Sequence, residues 1–125
     1  MDCTEFLALA KRLKDESNAK EAEFRTSISR TYAYAYVLLK KRYEEDDRIK
    51  FENKFGDKWA LRQLFINANK RHLWEQFGIY SKDRNDTEYN MDKEFNKDDA
   101  DEYINDIEQF IEEVKSQVTL HRRET

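Results

Sequence analysis

A chain of 125 residues with a net charge of −4 is one domain by size, and it is not a polycation that seeks nucleic acid through bulk electrostatics. Two glycines and no proline argue against a hairpin-rich sheet. Charged residues make up 40% of the chain and would suit disorder, but 14% aromatics supply the apolar area that disordered chains lack. A single cysteine, Cys3, excludes an internal disulfide and disfavours a metal–cysteine centre. No apolar run reaches the roughly 18 residues of a membrane span, and no signal-peptide pattern opens the chain, so a cytoplasmic location is expected.

In chain order, the first helix is predicted from about Thr4 to Glu16, with Phe6, Leu9, Ala10 and Leu13 on one face. Ser17 or Asn18 is the expected cap of a longer second helix reaching about Glu45. Its apolar stripe reads Ala22, Ile28, Tyr32, Ala35, Tyr36, Leu39 and Tyr43. The charged stretch Glu44 to Lys54 reads as a connection or frayed end, and Gly56-Asp57 as a stop followed by a cap. A third helix carries Trp59, Leu61, Leu64, Phe65 and Ile66, with a kink or a break expected over Asn67 to Asn69. A fourth carries Leu73, Trp74, Phe77 and Tyr80 towards Arg84 and Tyr89, although Gly78 weakens it by about 1 kcal/mol relative to alanine. Asn96 caps the last helix, whose opening acids Asp98, Asp99 and Asp101 complement the helix dipole. Its apolar face is Tyr103, Ile104, Ile107, Phe110, Ile111, Val114 and Val118, and His121 to Thr125 reads as a flexible tail. The expected fold is all-α, an antiparallel bundle of four long helical elements plus a shorter one. Residues 1–125 form a single helical domain, with the core over about 4–118 and the tail over 119–125.

Four polar patterns have bland explanations. Asp83, Asn85, Thr87 and Glu94 fall in the register of a calcium loop, but Glu88 stands where the sharp turn demands glycine. The acids around Asp98 suit a helix start. His72 has no ligand-spaced partner, and no metal or other cofactor is expected. Lys70, Arg71, Lys82 and Arg84 could share one side of a helix, which most often means a solvated face. The run from Arg25 to Tyr36 is less ordinary, because arginines, serines, alanines and tyrosines interleave on a helix that must also supply core. Either it forms a tight helix pair with internal hydrogen bonds, or it lines a polar groove for a partner or nucleic acid.

Two of these segments together resemble the HEPN superfamily (higher eukaryotes and prokaryotes nucleotide-binding domains). Arg25, Ser29, Arg30, Tyr32, Ala35 and Tyr36 look like the family's second-helix pattern, with Ala33 where a second tyrosine is common and Tyr34 displaced by one. Arg84-Asn85-Asp86-Thr87-Glu88-Tyr89 is similar to the arginine–asparagine run that precedes the family's last helix. The resemblance covers roughly Ala19 to Val118. It implies a HEPN-like bundle that pairs into a homodimer, and many such proteins are metal-independent ribonucleases. Small members often act in toxin–antitoxin or defence modules, beside a nucleotidyltransferase-type antitoxin partner.

In those ribonucleases a histidine follows the arginine after four to six intervening residues and moves the proton, while arginine stabilises the phosphorane. Here Tyr89, Asn90 and Met91 occupy that window, and no histidine lies within about ten positions of Asn85. A phenol titrating near pH 10 is a poor base at neutrality. The expectation is therefore a dimeric protein that binds RNA or a protein partner through a degenerate nuclease motif. Arg84, Asn85 and Tyr89 form the expected site, with Arg25, Ser29, Arg30 and Tyr32 lining the adjoining groove. Two alternatives stand beside it: an active ribonuclease toxin with an altered centre built on Arg84 and Tyr89, with His72 brought in from a partner chain, and a purely structural scaffold.

Overall fold

The structure is a computed structural model and describes residues 2–46, 49 and 56–118. Among these residues there are five helices and no strand. They are α1 (Thr4–Asp15), α2 (Glu21–Glu45), α3 (Asp57–Asn67), α4 (Arg71–Tyr89) and α5 (Lys97–Gln117). α2 is the longest at 25 residues and packs against each of the other four. None of the described helices is long and apolar enough to cross a membrane. Three helices are long, while α1 and α3 have 12 and 11 residues, so the lengths are less even than the sequence pattern suggested. Most of the charged stretch Glu44 to Lys54, and the whole tail from His121, lie outside the described residues.

The helix ends follow local chemistry. α2 starts three residues later than a Ser17 cap and two later than an Asn18 cap would place it, because the chain first turns with the Ala19 N–H bonded to the Glu16 carbonyl at 3.0 Å. The Glu23 carboxylate then accepts the Lys20 N–H at 2.9 Å and satisfies a donor at the helix start. α3 follows Gly56, whose φ of +93° suits glycine. It stops at Asn67, beyond which Asn69 takes a φ of +57° and the Lys70 N–H reaches back to the Phe65 carbonyl at 2.9 Å. Asn96 caps α5 as expected: its side chain accepts the Asp99 N–H at 2.9 Å, and Asp99 returns the bond to the Asn96 N–H at the same distance.

The core joins Leu39, Phe65, Leu73, Phe77, Tyr103, Ile107 and Phe110. Phe77 stacks on Phe110 at 5.8 Å between ring centroids, and Tyr80 meets Phe110 edge-on at 5.5 Å. The whole predicted face of α5 is buried. α2 departs from its expected stripe. Ala22 is exposed and Tyr32 and Tyr36 are only half-buried, while Tyr34, Ser27 and Thr31 are buried. The buried small residues bring α1 close: Ser27 Oγ donates to the Ala10 carbonyl at 2.7 Å. Lys14 to Asp101 at 2.7 Å and Lys11 to Glu108 at 3.0 Å tie α1 to α5. One side of the Arg25–Tyr36 run thus closes a tight helix pair, and the other lines a groove.

A candidate binding groove between the second and fourth helices

The open side of α2 faces α4. Ser29, Arg30, Tyr32, Ala33, Tyr36, Val37, Arg84 and Glu88 line a cavity of about 450 Å³ there. Helical spacing explains the set. Ser29, Tyr32, Ala33 and Tyr36 recur at steps of three and four on α2, and Arg84 and Glu88 stand one turn apart on α4. The Arg84 guanidinium lies over the Tyr32 ring at 5.6 Å from its centroid. Its Nη1 donates to Asn85 Oδ1 at 3.1 Å, and its Nη2 is 3.3 Å from Glu88 Oε1. That same carboxylate oxygen accepts the Ser29 hydroxyl at 3.3 Å. Below, Tyr32 stacks on Phe77 at 5.4 Å, so the groove wall is braced directly by the core.

A second cavity, of about 620 Å³, continues past the Tyr32 and Tyr36 rings. Lys58 and Leu61 of α3 and Trp74, Phe77 and Gly78 of α4 contribute to it. The Tyr32 hydroxyl donates to Ser81 Oγ at 3.4 Å on its margin. Burial raises the Tyr36 phenol above its ordinary value, with Asp57 adding to the shift.

The structure thus brings Arg84, Ser29, Arg30 and Tyr32 together around one groove, and Asn85 touches it through Arg84. Arg25 and Tyr89 do not join them. Tyr89 is 78% exposed and lies outside the residues lining either cavity. The Arg25 side chain is only 11% exposed and closes the end of α4. It donates to the carbonyls of Asp86 at 3.2 Å, Thr87 at 2.9 Å and Asn90 at 3.1 Å, and also to that of Lys93. Glu21 holds the guanidinium from behind at 2.9 Å, and the Phe95 ring lies 4.9 Å from it. Asp86, whose carbonyl also accepts the Asn90 N–H at 3.1 Å, and Thr87 lie in the last turn of α4, and Asn90 and Lys93 in the segment after it, so Arg25 is a cap delivered from another helix.

Residues 83–89 of the calcium-loop register are helical. His72 is exposed near the start of the same helix, about 18 Å along the axis from Arg84. Sequence reasoning passed over Glu88, Tyr36, Trp74 and Gly78 as site residues. The Arg84–Glu88 and Tyr32–Tyr36 spacings of one helical turn were the signals that could have found the first two. No protein-family model, curated protein or solved structure matches this chain.

Proposed function

We propose that the chain binds single-stranded RNA in the α2–α4 groove, as a HEPN-like homodimer of a toxin–antitoxin or defence-type module. The observation that carries this reading is the Arg84 guanidinium held over the Tyr32 ring on an open groove, with Arg30 on the same wall. Single-strand binders combine cations that meet phosphates with aromatic faces on which bases stack. The Arg84–Glu88 pair does not oppose it, because a partly exposed ion pair one turn apart is weak and a phosphate can compete for the guanidinium. The resemblance to HEPN proteins adds the homodimer and a nucleotidyltransferase-type antitoxin partner to the same proposal.

Binding of a labelled single-stranded RNA of mixed sequence, followed by anisotropy across a salt series, tests this reading. Arg84→Ala is expected to weaken binding at every sequence and to flatten the slope of log K against log salt by about 0.7. Unchanged affinity and slope would sink it. Light scattering showing a strict monomer would remove the dimer.

A second reading is favoured by one contact. Glu88 places a proton acceptor beside Arg84, which gives an altered metal-independent ribonuclease a base that Tyr89 does not supply from its position outside the groove. Cleavage of an RNA pool in EDTA by the wild type, lost in both Arg84→Ala and Glu88→Gln, supports it. Equal inactivity of all three chains rejects it.

A further inference from the structure

Gly78 sits in the middle of α4 without a local reason to be glycine. Its φ is not positive, so the backbone does not require it. A Cβ built on it meets nothing within 4 Å, so no neighbouring segment requires it either. Glycine is the weakest helix former after proline, and this position carries that weakness without any gain in packing. A side chain here would instead enter the cavity of about 620 Å³ that Gly78 helps to line.

The cavity has the chemistry of a seat for a flat, polar-edged ring. Tyr36, Trp74 and Leu61 give it apolar walls, and the Tyr32 and Ser81 hydroxyls, 3.4 Å apart, stand at its margin. Their mutual bond is long, so both groups remain able to pair with the edge of an entering heterocycle. The lining carries one charge of each sign: Lys58 has no carboxylate within ion-pair distance among the described residues and can meet a phosphate, while Glu75 faces Arg71 at 3.7 Å. Arg84 lies six residues beyond Gly78, about 9 Å along the axis of α4, and the Tyr32 and Tyr36 rings line both cavities.

We infer that the cavity over Gly78 receives one unstacked base of the RNA strand whose phosphate rests on Arg84. This inference rests on the RNA-binding reading given above and adds the place where the strand is held by stacking.

The test uses Gly78→Leu and Gly78→Ala in the full chain, with Arg84→Ala in parallel and the same labelled RNA. Gly78→Leu is expected to weaken RNA binding about tenfold or more, the loss that one base–aromatic stack represents. Its melting temperature should hold or rise, because leucine is a far better helix former. Gly78→Ala should keep the fold and show a smaller loss in the same direction. Binding that Arg84→Ala weakens and Gly78→Leu leaves unchanged overturns the base seat while leaving the RNA reading in place. Absence of RNA binding by the wild type overturns both. A lower melting temperature in both Gly78 variants, or a dimer that Gly78→Leu dissociates without loss of RNA affinity, assigns the glycine to packing and overturns the inference.

Discussion

Arg25 and Arg84 stand in similar polar runs, yet their surroundings assign them to different ends. The Arg25 guanidinium bonds to four main-chain carbonyls, two in the last turn of α4 and two in the segment after it, and is braced by Glu21 and Phe95. Charge-assisted bonds to main-chain carbonyls are among the stronger polar contributions to stability. Arg25→Ala is therefore expected to destabilise the chain by roughly 2–3 kcal/mol in urea unfolding. Arg25→Lys should recover little, because one ammonium cannot span the carbonyls that a planar fork reaches. Arg84→Ala should cost less than about 1 kcal/mol, since its partners are partly exposed and its ion pair is weak. Equal losses for the two arginines would contradict this division.

At the scale of the element, α2 organises the molecule by presenting different chemistry to each neighbour. Its small buried residues Ser27 and Thr31 face inward, where Ser27 binds the Ala10 carbonyl of α1 and Thr31 Oγ1 donates to the Ser27 carbonyl at 2.9 Å. Its two end arginines bind the ends of other helices, since Arg42 also donates to the Val118 carbonyl beyond α5 at 2.9 Å. Its Tyr32 and Tyr36 remain half-buried along the groove. A bulky residue on the inward side should undo the α1 contact alone. Ser27→Leu is expected to cost about 1–3 kcal/mol from overpacking and to remove the bond to Ala10. Hydrogen exchange should then speed up in α1 and remain slow in the middle of α5. Unchanged protection of α1 would show that the close approach at Ser27 does not hold it.

For the whole molecule, the polar tips of buried tyrosines link the core to pH. Burial is the leading cause that raises the phenols of Tyr34, Tyr43, Tyr80 and Tyr103 above their ordinary value of 10.0. For Tyr43 the hydrogen bond it donates to Asp57 adds to the shift. An acid whose folded value is raised loses its proton more readily in the unfolded chain. Stability should accordingly be level with respect to these groups below about pH 10 and fall above it, as the unfolded phenols ionise first. Urea midpoints measured from neutral pH to about pH 11 should show that fall. Tyr103→Phe should make it shallower, while costing about 1 kcal/mol at neutrality for the bond its hydroxyl donates to the Tyr80 carbonyl at 2.9 Å. A midpoint constant throughout would reject the linkage.

The sequence by itself determined the helical class, an interruption near Asn67 to Asn69, which the structure places just after Asn67, the Asn96 cap and the buried face of α5, because each depends on residues within a turn or two of one another. Periodicity and capping are local physics, and local physics is written in order along the chain. It also marked Ser29, Arg30, Tyr32 and Arg84 as residues worth watching, through the two polar runs that contain them. Only the tertiary structure decided which of the candidates meet. Arg25 and Tyr32 lie two turns apart on one helix, yet Arg25 meets the end of α4 and Tyr32 faces the groove. Tyr34 exchanged places with Tyr36 in the expected burial pattern because neighbours on several sides, not one stripe, set which side of α2 is covered. The empty space over Gly78 is likewise a relation between helices, and no single segment encodes it.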